Sequence, residues 1–404
     1  MRFAERAADM TRRGVTDAQP MAATSTRPPT VVCHLTTVHP VFDPRIFHRE
    51  CRTLADAGYI VHLVACHDRD ETIEDIHIHA LPRPPCRAAR VLVWPWLAYR
   101  RAAAIRPRPA IFHFHDPELL LVAQALRGLG GRVIYDVHEN VAEHLRHKDY
   151  LPRAAGRTAS LAYRAVERLC LGGLATVHVL ETIAARYPEP RAVVRNLPEL
   201  RDMPPALQRT PSPQPRLLYL GDICRERGTA TMIETARRLA ARGVLFEMRL
   251  VGPIREAALR EEMLRATRDP DLGGRFTWAG PVPYQHVPRE LAAADLGLCL
   301  LLPKPNYLNS LATKLVEYMA AGLPVVASKF ACWKDIIVGT GAGVQVDPED
   351  PGAVAEAIET LLADPARRRE MGQRGREAVC SRYRWDVEKE RLLDFYRRLL
   401  GGGD

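Results

Sequence analysis

The chain has 404 residues, 47% hydrophobic and 26% charged, with a formal net charge of +9. One core of ordinary size does not absorb that length, so two domains are expected, and the composition is that of a globular protein. No run of about 18 uncharged apolar residues occurs, which argues against a membrane-spanning helix. The nine cysteines form no CxxC pair, as expected of reduced thiols and a cytoplasmic protein.

Residues 1–28 read as a disordered tail without the apolar core of a signal peptide. Short apolar runs then alternate with helical patterns. A strand is predicted over Val31–Thr36. Asp43 and Pro44 supply an N-cap and first-turn proline for a helix reaching Ala57 and closed by Gly58. Strands follow at Ile60–Ala65 and Ile76–Ala80, a helix at Trp96–Ile105, and a strand at Ala110–Phe114. A helix from Asp116 to Gly130 leads into a strand at Arg132–Val137. A long helical region then runs to Leu171, before strands at Leu174–Val179 and Ala192–Arg195. The proline-rich segment 204–215 is a linker. Beyond it, strands are predicted at Arg216–Leu220, Phe246–Val251, Arg275–Trp278, Leu296–Leu301, Pro324–Ala327 and Gly343–Val346. Helices fill the gaps, and a helical tail spans Pro351 to Leu400. This alternation predicts an α/β fold of two doubly wound parallel-sheet domains, 29–203 and 216–381. Ligands of such sheets bind outside the C-terminal strand ends, here in the cleft between the domains.

The segment Asn309–Ser328 (NSLATKLVEYMAAGLPVVAS) reads as loop, helix, tight turn and buried strand. Thr313 is the expected N-cap, Gly322 the left-handed stop, and Pro324 the block to continuation. A helix N-terminus at the mouth of a parallel sheet suits a phosphate. Glu317, one turn further in, can accept hydrogen bonds from two ribose hydroxyls. The plain alternative is one more helix–strand unit with an exposed glutamate. No GxGxxG follows the first strand and no Walker A sequence occurs, which argues against dinucleotide dehydrogenases and P-loop enzymes.

Other candidates sit at strand ends. In Ile111–Pro117 (IFHFHDP), His115 falls past the strand end, where a ligand lies. His113 reads as a packed histidine and Asp116 as the N-cap of the next helix. Asp136, His138 and Glu139 face the cleft or tie loops together. His39 and Arg45, in the loop after the first strand, are placed to approach a phosphate or an acceptor. Arg225 and Arg227 (GDICRERG) present planar forks suited to a diphosphate. The histidines show no HExxH spacing and little carboxylate clustering, so no metal is assigned. Arginines are dispersed without an aromatic-interleaved stripe, so nucleic acid is not an expected partner.

The ordered set HFHDPELL, YDVHE, RNLPEL, LGDICRERG and KLVEYMAAGLPVVAS resembles glycosyltransferase family 4, retaining enzymes of the GT-B fold. The resemblance runs from about Val31 to the C-terminal helix and implies a nucleoside-diphosphate sugar as substrate, without cofactor or metal. Glu317 matches the second glutamate of the family's E-x7-E motif and so implies ribose binding. The first glutamate falls at Asn309, a departure at the donor-sugar contact. Ser310, Leu311, Ala312 and Thr313 match the diphosphate cradle, with Ala312 where glycine is common. Arg227 matches the basic residue of the G-R-x4-K-G pattern. Asp222 replaces its arginine, and Arg225 is expected to supply the missing charge. His115 matches the histidine that contacts the donor sugar near the reacting carbon. Residues 382–404 look like the helix that crosses back onto the first domain, with Trp385, Leu392, Leu393, Phe395, Tyr396 and Leu399 as its apolar stripe. A terminal helix of the second domain is the alternative.

The expected activity is transfer of a sugar to a glycan or lipid-linked acceptor in cell-surface polysaccharide or glycolipid synthesis. The basic charge fits peripheral contact with the anionic inner face of a membrane. Two rivals stand beside it. A sugar-nucleotide epimerase of GT-B fold would need no acceptor. A non-catalytic nucleotide-sugar-binding protein would release no nucleoside diphosphate.

Overall fold

The computed structural model describes residues 29–138, 141–146, 153–200, 214–308 and 310–401. The expected tail, most of the linker and Asn309 lie outside these residues. The first sheet contains β1 (Val31–Pro40), β2 (Ile60–Cys66), β3 (Glu71–Ile73), β4 (Ile76–Leu81), β5 (Ile111–Phe114), β6 (Arg132–Val137), β7 (Ala175–His178) and β8 (Arg191–Val193). Their order is β3-β4-β2-β1-β5-β6-β7-β8, parallel throughout except for the β3–β4 hairpin. The second sheet contains β9 (Arg216–Leu220), β10 (Glu247–Val251), β11 (Phe276–Trp278), β12 (Leu296–Cys299), β13 (Val325–Ser328) and β14 (Gly343–Val346), in the order β11-β10-β9-β12-β13-β14. Strands β5, β12 and β13 are buried along their whole length. Helices cover both faces, which is why these strands read as unbroken apolar runs. The architecture is GT-B: two Rossmann-like parallel sheets with a cleft between them.

The last helix, Trp385–Leu399, crosses back. Trp385, Leu392, Phe395 and Tyr396 belong to the core of the first domain. Trp385 Nε1 donates to Thr53 Oγ1 at 2.9 Å, and buried Glu388 accepts from Arg195 Nη2 at 2.7 Å.

The helix after β1 departs from its predicted form. It opens as a π-helical turn over Ile46–Cys51 and becomes α-helical only at Arg52–Asp56. Asp43 still acts as a cap, its Oδ1 accepting from the N–H groups of Arg45 and Ile46 at 2.8 and 3.1 Å. The wider turn lets both Arg45 and Glu50 point inward, where Arg45 Nε meets Glu50 Oε1 at 3.0 Å.

Candidate active site

Between the domains lies a pocket of about 290 Å³, lined by Gly221, Arg227, Thr313, Lys314, Glu317 and Tyr284 from the second domain and by Pro44 from the first. Gly221 follows β9 with φ +117. A Cβ there would stand 3.2 Å from Lys314 Nζ and 3.5 Å from Arg227 Nη1, so glycine keeps two cations open to a ligand. Lys314 is 7% exposed, its Nζ has no hydrogen-bond partner, and it sits 3.7 Å above the Tyr219 ring. Burial, reinforced by nearby Arg227, pulls its amine down to about 7. Arg227 is held charged: burial opposes its charge, but the Tyr219 and Tyr307 side chains outweigh it. Two adjacent basic groups, one without a hydrogen-bond partner, are suited to a phosphate group.

The helix below the pocket spans Thr313–Ala320. Ala312 occupies the N-cap position and no side chain caps it, so Thr313 is the first helical residue rather than the expected cap. The Leu315 N–H bonds back to the Ala312 carbonyl at 3.0 Å, while among the described residues those of Thr313 and Lys314 have no backbone acceptor and can meet an anion. Gly322, at φ +67, ends the helix as expected. Glu317 is partly exposed on the pocket wall, 3.7 Å from Arg49 Nη2 of the first domain. Burial raises its carboxyl while Arg49 and Lys314 pull it down. The aromatic ring of Tyr284 stacks on His48 across the cleft, with centroids 5.0 Å apart.

A larger cleft of about 740 Å³ adjoins the helix N-terminus, lined by Ser310, Leu311, Thr313 and Tyr307 on one side and Arg45, His138 and Asn196 on the other. A third pocket of about 720 Å³, in the first domain, includes His39, His115, His138, Val91, Leu121 and Val166. His138 borders both. Register places His34 of β1 beside His113 of β5, and His115 follows at the end of β5. His115 is 2% exposed, with Nε2 3.0 Å from His34 Nδ1 and Nδ1 3.3 Å from both Asp136 Oδ2 and His138 Nε2. Burial depresses its imidazole to about 4, so it is neutral near pH 7. Asp136 is held ionised against its burial by Arg45 and the neighbouring histidines.

Several expected roles change on this geometry. Arg225 points away from the pocket: its guanidinium, 48% exposed, pairs with Glu256 at 3.2 Å and Glu262 at 3.1 Å, the N-cap and a middle residue of helix Ala257–Thr267. Lys314, unmarked in the sequence reading, stands where Arg225 was expected. Arg45 reaches the cleft wall but spends its guanidinium on Asp136, at 2.9 and 3.1 Å, and on the Val194 carbonyl, leaving it a poor phosphate ligand. Asp116 makes no cap bond in its own helix. Its Oδ2 instead accepts from Thr36 Oγ1 and from the N–H groups of Thr37 and Val38, fixing the loop that carries His39. His39 lies between Asp43 and Asp116, at 3.3 and 3.5 Å. His113 is fully buried and hydrogen-bonded to Tyr396, as read.

Two parallel α/β domains enclosing a cation-lined pocket at the strand ends define a protein of GT-B architecture. Residues 45–196 match the family described as Glycosyltransferase Family 4, and residues 214–364 match that described as Glycosyl transferases group 1. The chain belongs to glycosyltransferase family 4. The D-inositol 3-phosphate glycosyltransferase of Corynebacterium diphtheriae is 27% identical over 183 residues, 45% of this chain and 42% of that protein. A GDP-mannose-dependent alpha-(1-6)-phosphatidylinositol monomannoside mannosyltransferase of Mycobacterium tuberculosis is 30% identical over 139 residues, 34% of this chain and 36% of that protein. The matches thus span less than half the length of these two curated relatives. The solved structure of sucrose-phosphate synthase from Thermosynechococcus elongatus shares the fold with a TM-score of 0.73 at 21% identity, over 93% of this chain and 100% of that one.

Proposed function

We propose that the protein transfers a sugar from a nucleoside-diphosphate sugar to a hydroxyl acceptor, with retention of configuration and no metal at the diphosphate. The observation that carries this reading is the unpartnered Lys314 amine beside Arg227, at a helix N-terminus and one turn from Glu317. The diphosphate lies against Lys314, Arg227 and the first-turn N–H groups, with the ribose on Glu317. The sugar then extends past Ser310, Leu311 and Thr313 toward His138 and His115. The name of the mycobacterial relative, GDP-mannose-dependent, supports a donor of this class.

As the C1–oxygen bond to the diphosphate breaks, charge accumulates on the leaving group and is stabilised by Lys314 and Arg227, taking the part a divalent ion plays elsewhere. The acceptor oxygen attacks C1 from the same face and its proton passes to the leaving phosphate oxygen, giving nucleoside diphosphate and a glycoside. Asp136, engaged bidentately by Arg45, is not a free nucleophile. His138, at the cleft wall, hydrogen-bonds the sugar and acceptor, and buried His115 orients it from 3.3 Å behind. The apolar pocket meeting the cleft at His138 favours a lipid-linked glycan as acceptor. Exposed Leu92, Val93 and Trp96 beside Arg87 and Arg90 favour peripheral contact with an anionic membrane at its cytoplasmic face. No helix among the described residues is long and apolar enough to cross a membrane.

The test is nucleoside-diphosphate release from a panel of UDP- and GDP-sugars, with and without lipid extract as acceptor. Release that requires both donor and acceptor is expected. Donor conversion without acceptor, or binding with no release under any pairing, contradicts the reading.

A further inference from the structure

We propose that the first domain holds one divalent transition-metal ion, zinc being the best match, between His34, Glu50, His113 and His115. The four side chains come from β1, the π-helical turn and the end of β5, and none is more than 2% exposed. Glu50 Oε2 stands 3.9 Å from His34 Nδ1, 3.9 Å from His113 Nδ1 and 3.9 Å from His115 Nε2. These separations are too long for hydrogen bonds. His34 Nδ1 and His115 Nε2 are 3.0 Å apart, and one donor atom from each of the four residues lies within 4.8 Å of the others. Donor atoms at 2.0–2.2 Å from a tetrahedral ion are roughly 3.3–3.6 Å apart. The observed spacings bracket that value, so side-chain adjustments of up to about an ångström close the shell.

Polar satisfaction points the same way. Glu50 and Asp136, both 0% exposed, share the single guanidinium of Arg45, at 3.0 and 2.9 Å. Glu50 Oε2, which faces the three imidazoles, has no hydrogen-bond partner, and an ion at the centre of the cluster supplies one. The three imidazoles are grouped with centroids 4.7–5.2 Å apart. A set of three histidines and one carboxylate suits zinc or a neighbouring first-row ion.

The surrounding groups orient these ligands. His115 Nδ1 faces Asp136 Oδ2 at 3.3 Å, leaving Nε2 for the ion, and His34 Nε2 faces the Tyr396 hydroxyl at 3.1 Å, leaving Nδ1. Tyr396 also lies 2.8 Å from His113 Nδ1. On coordination that nitrogen turns its lone pair to the ion and Tyr396 keeps only His34. The ion thus links the crossover helix, through Tyr396, to the residue that borders the acceptor pocket. A second grouping, His115 with Asp136 and His138, is a poorer site because Arg45 already occupies both oxygens of Asp136. The inference goes beyond the transferase reading and does not rest on it, since the diphosphate pocket uses other residues.

The test uses full-length protein without a polyhistidine tag, dialysed against a weak chelator and analysed by inductively coupled plasma mass spectrometry. One retained ion per chain is expected, with the visible spectrum of tetrahedral cobalt after exchange. Glu50→Gln and His113→Ala should lower zinc affinity roughly tenfold or more. His79→Ala should leave it unchanged, since that residue lies in a separate half-buried pair with His62. Chelator-stripped wild type should also melt at higher temperature when one equivalent of zinc is restored. Wild type that retains no metal and shows no zinc-induced shift overturns the proposal, as does metal lost in His79→Ala but kept in Glu50→Gln. If the site variants fail to fold, the wild-type content, melting shift and cobalt spectrum still decide.

Discussion

Replacing Lys314 with methionine keeps the length of the side chain and removes its charge. The buried amine titrates near 7 instead of its ordinary 10.5, a difference worth on the order of 5 kcal/mol at 1.36 kcal/mol per decade. The unfolded chain holds this proton up to about pH 10.5 and the native chain only to about pH 7. Between those values the unfolded state binds more protons, so native stability rises with pH across this window and is lowest below it. Without ligand, Lys314→Met should therefore be more stable than wild type at pH 7, by up to a few kcal/mol, with the advantage vanishing toward pH 10. Nucleotide reverses the balance. A diphosphate against Nζ restores the ammonium, so at pH 8 wild type should take up close to one proton on binding, seen as buffer-dependent calorimetric enthalpy. The variant should take up none and bind about 10–100-fold more weakly, the value of a charge-assisted hydrogen bond of about 1.5–3 kcal/mol. Equal affinities together with no proton uptake in wild type would refute the reasoning.

Arg227→Ala should cut the rate of transfer by about tenfold or more with little change in melting temperature, because its charge acts on the departing diphosphate; steady-state rates with saturating donor check this. Arg225→Ala should leave transfer within about twofold of wild type, since its partners are surface carboxylates. Phe substituted for Tyr396 should lower stability by about 1–3 kcal/mol through loss of its bonds to His34 and His113, measured by denaturant unfolding.

Much of the architecture is legible in the sequence because buried parallel strands are short apolar runs bounded by turn residues. Three of the fourteen strands among the described residues, β6, β9 and β14, have the predicted limits unchanged. The edge hairpin at β3 was missed because its turn uses Glu74 and Asp75 at positive φ rather than Asn-Gly. The π-helical turn was missed because apolar periodicity does not register one extra residue per turn when all six residues are buried. The predicted helical tail is three helices. Asp364 caps the second, its carboxylate accepting from Arg367 N ahead of Pro365, a signal present in the sequence.

The candidate site was legible at its ends and not in its middle. Glu317 follows from helix spacing alone. Lys314 does not, because a lone lysine beside an apolar run looks like a solvated charge until Gly221, just after β9, is seen to open the space above it. Arg225 and Arg227 share a single tight turn, and residues two apart in such a turn face different ways, so one was bound to leave the cleft. The histidine cluster is invisible to motif spacing because its members come from β1 and β5, and only parallel register sets His34 beside His113.

A cleft of this kind is expected to bind a nucleoside diphosphate with Glu317 on the ribose. This is tested most directly by calorimetric titration of UDP and GDP into wild type and Glu317→Ala. One nucleotide should bind wild type with a measurable dissociation constant and bind the variant at least about tenfold more weakly, through loss of the ribose hydrogen bonds. Binding of neither nucleotide to wild type, or equal affinity in the variant, would contradict the account.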